Sequence, residues 1–354
     1  MKNPCYMIAL SLLQLLLVSC SSSDTADTNI AVGTLSNLNV TAIADGYSEA
    51  QPNGDGSGMV SLSATAENAV GYYFYYPDGT SQYSETGIDA HLFRESGLNS
   101  YSIIVKAFGT NNSSLSQTIT VSVNFTPVLA WQDEFDTGTS PSAENWTRET
   151  GGNGWGNNES QYYTTSDENS FLSNGMLHIV LKKQPFENQN YTSARLISHG
   201  KYQFTYGRIE IRAKLPTGGG TWPALWMLGS NFTSAPWPAC GELDIMEQIG
   251  NDPGKVHGTL HHPGHFGANG SNGHTMVPDC STEFHVYKAD WSPTHIKFYV
   301  DDNLFYTFEN NASLPFNHDF FLILNVAMGG NFGGAIDPAF VQSEMLVDYV
   351  RVYR

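Results

Sequence analysis

The sequence predicts an all-β chain: a small β-sandwich followed by one large β-sandwich or jelly roll. Three observations carry this reading. Short runs alternate apolar and polar residues at a period of two. Turn-forming clusters separate them, in a chain holding 34 Gly and 16 Pro. No long stretch shows helical periodicity with caps. The length of 354 residues suits two domains. A composition of 40% hydrophobic, 12% aromatic and 14% charged residues argues against disorder. With 34 acids against 16 bases, the net charge is −18. No basic patch is present, which argues against nucleic acid as a partner.

Residues 1–19 read as a signal peptide. Met1-Lys2 supplies a positive charge, and Ile8 to Val18 is nearly all apolar but too short to span a bilayer. Leu17-Val18-Ser19-Cys20 resembles a bacterial lipobox, with cleavage before Cys20 and a lipid on that cysteine. This implies a bacterial cell envelope location, with the membrane contacted through the N-terminal lipid only. Residues 20–37, including Ser21-Ser22-Ser23-Asp24-Thr25, read as a polar tether. Cys5 leaves with the signal. Cys240 and Cys280 remain, and an oxidising compartment is compatible with a disulfide between them or with two free thiols.

Residues 38–125 alternate at Val60–Ala64, Tyr101–Val105 and Ile119–Val123. Turn signals stand at Pro52-Asn53-Gly54-Asp55-Gly56 and Pro77-Asp78-Gly79. The runs Ser63–Ala69, Tyr75–Ser81, His91-Leu92-Phe93 and Tyr101-Ser102-Ile103 resemble a polycystic-kidney-disease-type (PKD) immunoglobulin-like β-sandwich. A spacer without a ligand is the preferred reading of this segment. Near Thr126-Pro127 the texture changes, and residues 127–354 form the larger unit. Aromatics become dense and Gly pairs appear, as at Gly329-Gly330 and Gly333-Gly334. Alternation continues at Leu177–Leu181, Gly207–Arg212 and His295–Val300.

One segment concentrates acids among apolar residues: Glu242-Leu243-Asp244-Ile245-Met246-Glu247-Gln248. On a strand, Glu242 and Asp244 share a face while Leu243 and Ile245 point behind. Glu247 is out of phase unless one extra residue, a β-bulge near Ile245-Met246, restores it. Three aligned carboxylates repel, so a purely structural strand gains nothing from them. A solvated face does not fit the interleaved Leu, Ile and Met, and a calcium site draws mainly on loops and carbonyls. A carboxylate pair can instead cleave a glycosidic bond, one as nucleophile and one as proton donor. A third acid beside them separates their pKa values.

The pattern Glu-x-Asp-x-x-Glu resembles the signature of glycoside hydrolase family 16, in its laminarinase-like branch. Further matching segments include Trp131–Phe135, Gly154–Glu159, Ser193–Leu196, Thr221–Leu228, His257–His261 and Val347–Tyr353. The resemblance implies a retaining endo-glycanase on a β-jelly roll, with Glu242 as nucleophile, Glu247 as general acid/base and Asp244 assisting. It places Trp222 and Trp226 in the cleft as stacking platforms, and Asn157 and Arg195 where sugar hydroxyls are bound. Arg195 is equally able to pair with an acid. His261 is expected on the acceptor side near Glu247. His265 and His274 fall in, and His262 adjoins, a Gly-rich segment, Pro263–Pro278, expected as a cleft-rim loop. Gln248 departs from the family pattern, in which an aromatic often follows the acid/base residue. The resemblance also implies a structural Ca2+, held by the Asp348 side chain and main-chain oxygens at Glu134 and Gly175, but no cofactor for catalysis. The leading expectation is a monomeric endo-β-1,3-glucanase or mixed-linkage β-1,3/1,4-glucanase with a β-glucan polysaccharide as substrate. The alternatives are the same machinery on agar, carrageenan or porphyran, and a non-catalytic surface glucan-binding lipoprotein.

Overall fold

A computed structural model describes residues 33–354. The expected signal peptide, Cys20 and the tether up to residue 32 lie outside the described residues, and the last two residues read as tether, Ser36 and Asn37, already belong to the first strand. The first unit is a sandwich of two antiparallel sheets. One orders Ser36–Ala44, Met59–Glu67 and Ile88–Leu92; the other orders Ser81–Ser84, Ala69–Tyr75, Gly97–Gly109 and Ser114–Phe125. Alternation decides what each strand buries. In Gly97–Gly109, Tyr101, Ile103, Val105 and Ala107 face the core while Ser100, Ser102 and Ile104 face outward. Val60, Leu62 and Phe74 meet them there.

The second unit pairs a ten-stranded sheet with a seven-stranded one. Leu177, Ile179, Ile209 and Ile211 of the larger sheet share one core with Leu225, Met227, Leu243 and Leu324 of the smaller. Removing each such side chain from water stabilises the fold by about 1.5–3 kcal/mol. The seven strands run in the order Ser271–Met276, Lys255–His261, Glu242–Gln248, Thr221–Gly229, Phe320–Met328, Arg195–Ile197 and Thr147–Arg148. The acidic segment is therefore an inner strand, and its outward face is the middle of a broad surface.

The segment expected as a loop between Pro263 and Pro278 is partly strand. Ser271–Met276 pairs along Lys255–His261, with His274 opposite His257. Backbone pairing overrides a sequence with little β-propensity. Among the described residues the α-helix is a single turn, Gly330–Gly333. Gly330 has φ +73°, and a Cβ on it would lie 2.8 Å from the Asn157 carbonyl oxygen. That close approach seats the turn beside the acidic strand and brings Phe332 edge-on to Trp222, 5.5 Å between centroids.

Candidate active site

The site is built on a bulge. Toward one neighbouring strand, Asp244 faces Thr259 and Glu247 faces His257, so Ile245 and Met246 stand against Gly258 alone. Toward the other, Asp244 faces Trp226 and Met246 faces Leu225, which makes Ile245 the extra residue. Leu243, Ile245 and Met246 are fully buried. Their burial fixes the strand, and Glu242, Asp244 and Glu247 are left on the opposite face, as the spacing predicts.

That face is largely shut off from water. Asp244 is only 3% exposed. Burial, reinforced by the neighbouring Asp244 and Glu247 charges, pushes the Glu242 carboxyl well above the usual range; His261 and Arg195 oppose the shift. Burial and then Glu247 push Asp244 well above its range. Glu247 is also raised by burial, and is restrained by the Trp222 N–H, His261 and Thr259. Trp222 Nε1 donates to Glu247 Oε1 at 2.9 Å. Like charges this close in a desolvated pocket cannot all ionise, so the trio titrates as one system that retains protons.

His261, expected near Glu247, acts on that carboxyl but has the other two acids as its direct neighbours. It stands opposite Glu242, and its Nε2 lies 3.5 Å from Glu242 Oε1 and 3.3 Å from Asp244 Oδ2. The residue facing Glu247 is His257. Glu242, Asp244 and His261 are also spaced to ligate a metal ion, and they are the side-chain group among the described residues that is.

Trp226 and Arg195 belong to one stacked assembly. The Arg195 guanidinium lies 4.7 Å from the Trp226 ring and 4.8 Å from that of Trp155. Its Nε also donates to Glu149, so pairing with an acid and facing the cleft coincide. Trp226 Nε1 donates to Asn325 Oδ1 at 2.7 Å, and Asn325 Nδ2 donates to the Tyr163 hydroxyl at 3.0 Å. That hydroxyl reaches Glu159 Oε2, which also accepts from Gln161 at 2.6 Å. Asn157 Nδ2 donates to Glu159 Oε1 at 3.2 Å, closing a chain of bonds from Trp226 to Asn157. Glu159 is buried, and burial raises its carboxyl despite these donors. Sequence reasoning quoted Glu159 in a motif without giving it a role. Its signal was an acid amid amide and aromatic residues, too common a pattern to single out.

Two aromatic rims went unnoticed in the sequence. Trp237 and Phe266, each 45% exposed, meet edge-to-face, and Trp237 lies 5.8 Å from the His261 ring. On the other side, Phe332 packs between Trp222 and His257. Trp237 and Phe266 come from loops and Phe332 from the helical turn, and only long-range strand pairing brings them to the site. Gln248 turns inward and is buried, its Nε2 donating to the Ile249 carbonyl, so it takes no part in the cleft.

Two further expectations concern the cysteines and calcium. Cys240 and Cys280 are free, buried thiols and form no disulfide. Burial, with Glu242 nearby, pushes Cys240 up to about 11. Two of the residues expected to hold calcium carry arginine partners on their side chains. Strand pairing does draw Asp348, Glu134 and Gly175 into one neighbourhood. Asp348 Oδ2, however, already accepts from Arg212 at 2.7 Å, and the Glu134 carboxylate is chelated by Arg351 at 2.8 and 2.9 Å. One oxygen of the Asp348 side chain is thus paired, and the main-chain oxygens expected at Glu134 and Gly175 are not part of these ion pairs.

The sequence profile of Glycosyl hydrolases family 16 matches residues 157–351. A Beta-glucanase of Rhodothermus marinus is 46% identical over 242 residues, covering 64% of this chain and 85% of that protein. Glucan endo-1,3-beta-glucosidase A1 of Niallia circulans is 40% identical over 257 residues, covering 64% of this chain and 38% of that longer one. The X-ray structure of the laminarinase from Rhodothermus marinus matches with a TM-score of 0.62 at 45% identity, covering 65% of this chain and 98% of the other. Profile, topology and the bulged acidic strand converge: the chain belongs to glycosyl hydrolases family 16.

Proposed function

We propose that this glycoside hydrolase is a retaining endo-β-glucanase that cuts β-1,3-glucan or mixed-linkage β-1,3/1,4-glucan by double displacement. The observation that carries the reading is the bulge at Ile245, which aligns three carboxylates in a desolvated floor flanked by Trp222, Trp226 and Trp237. Glucanase relatives at 40–46% identity support the substrate class.

In this reading Glu242 attacks the anomeric carbon while Glu247 gives its proton to the leaving oxygen. The sugar is then held as a covalent ester on Glu242. Glu247, now ionised, takes a proton from the incoming water, and the ester is released with retention. Asp244 keeps the shared proton, and its neutral carboxyl can donate to Glu242. His261, against both, favours the ionised nucleophile. The Trp222 N–H holds Glu247 in place. The indole faces exclude water from the reacting centre and stack sugar rings.

The test is a panel of laminarin, barley mixed-linkage glucan and agarose, with reducing ends counted. Oligosaccharides should appear from the first two. Cleavage of agarose alone would overturn the substrate class, and no cleavage of any would favour a glucan-binding protein.

A further inference from the structure

The four-stranded sheet of the first unit leaves one face open. Tyr73, Tyr75 and Tyr83 stand on it, 36%, 39% and 43% exposed. Tyr73 is the hub. Its ring lies 5.8 Å from Tyr75 at a 25° tilt, 5.1 Å from Tyr83, and 5.8 Å from Phe108 edge-on. Gly71 is part of this surface, because a Cβ there would sit 2.3 Å from the Tyr83 hydroxyl. The missing side chain lets Tyr83 lie down onto the sheet. Beyond the rings the face carries exposed Leu98 and Ile104 and a row of hydroxyls. On the last strand every outward position from Ser114 to Ser122 is Ser or Thr. Opposite them, Ser100 and Ser102 hydrogen-bond Ser122 and Thr120. In a chain with 34 acids, no carboxylate lies at an outward position of these strands, and Lys106 is the one charge.

An aromatic shelf continuing into a row of hydroxyls, with no anion, suits an uncharged polyhydroxylated chain. Pyranose C–H edges stack on tyrosine rings, and hydroxyls match the Ser/Thr row. An anionic lipid surface would be recognised by a cluster of positive charge, and this face offers Lys106 alone. We propose that this face is a second glycan-binding site, for an uncharged β-glucan chain, in the unit expected to be only a spacer. It rests on the reading of the protein as a β-glucan hydrolase. Tethering by a second site raises the local concentration of polymer at the cleft without new contacts there.

The experiment measures depletion of the full chain onto insoluble β-1,3-glucan particles. All proteins carry Glu242→Gln, so that the matrix is not digested. Replacing Tyr73, Tyr75 and Tyr83 together by Ala should weaken binding at least about tenfold, roughly severalfold per lost ring. Tyr83→Ala alone, on the short edge strand, should weaken it about two- to fivefold and remains readable where the triple variant melts early. In the active background, Tyr83→Ala should leave hydrolysis of short soluble β-1,3-oligosaccharides unchanged and slow digestion of the particles. Parental binding by both variants would overturn the proposal, as would binding only to anionic vesicles or self-association lost on Tyr83→Ala. An enzyme inactive on every glucan whose particle binding still depends on Tyr83 would sink the catalytic reading and keep this one.

Discussion

The molecule presents two open faces of antiparallel sheet, and they differ in one respect. The seven-stranded sheet carries three carboxylates and His261 amid its aromatic rings, and Asp244 is nearly sealed from water. The four-stranded sheet carries rings at 36–43% exposure and no carboxylate. Rings alone make a surface that can hold a sugar. Chemistry needs charges taken out of water, since only a desolvated carboxyl keeps a proton to donate near neutral pH. Walls such as Trp222, Phe332 and Trp237 are what the first face adds.

The sharpest way to break this contrast is on the acids. Glu242→Gln should lower kcat on laminarin by about four orders of magnitude or more, because the covalent step is lost. Glu247→Gln should lose about 10²–10⁴. That loss should shrink on an aryl glycoside whose leaving group needs no proton. Steady-state rates on both substrates check the pair, and equal losses on both would contradict the role given to Glu247. Next in size is Trp226→Ala. It removes a stacking face from Arg195 and the donor to Asn325, and should cost about ten- to a hundredfold in kcat/KM, mostly in KM.

The smallest effect is on stability, and it has a definite sign. Glu242 has a raised folded-state pKa, so its burial is harmless below the unfolded value of about 4.3 and costs stability as pH rises above it. Glu242→Gln has no charge to bury. Its melting temperature should therefore match the parent near pH 4 and exceed it at pH 8, by about 2–4 °C for each kcal/mol relieved. Scanning calorimetry at the two pH values checks it, and a gap that narrows with pH would mean that Glu242 is not desolvated.

The all-β class, the strands at Val60–Ala64 and Leu177–Leu181, and the bulge were all legible in the sequence. Each depends on local alternation, or on a count of residues along one strand. What was not legible depends on partners distant in the chain. His261 meets Glu242 because two strands align in one register and not in another. Ser271–Met276 is a strand because of its neighbour, since its own residues give no apolar alternation. Trp237 and Phe266 join at the rim from two separate loops. Asp348 carries no mark in the sequence that Arg212 would claim it.

The bulge divides the acidic strand into two phases. Up to Asp244 the even-numbered residues look outward; from Glu247 the odd-numbered ones do. Deleting Ile245 would merge the two phases and still leave all three acids pointing the same way. Inserting one more residue beside it turns Glu247 toward the core if the bulge is kept, whereas a regular strand of that length would again align all three. The strand thus obeys a parity rule: the three acids share a face with the bulge at the present length, or without it at one residue shorter or longer, and any grafting of this site onto another sheet has to respect it.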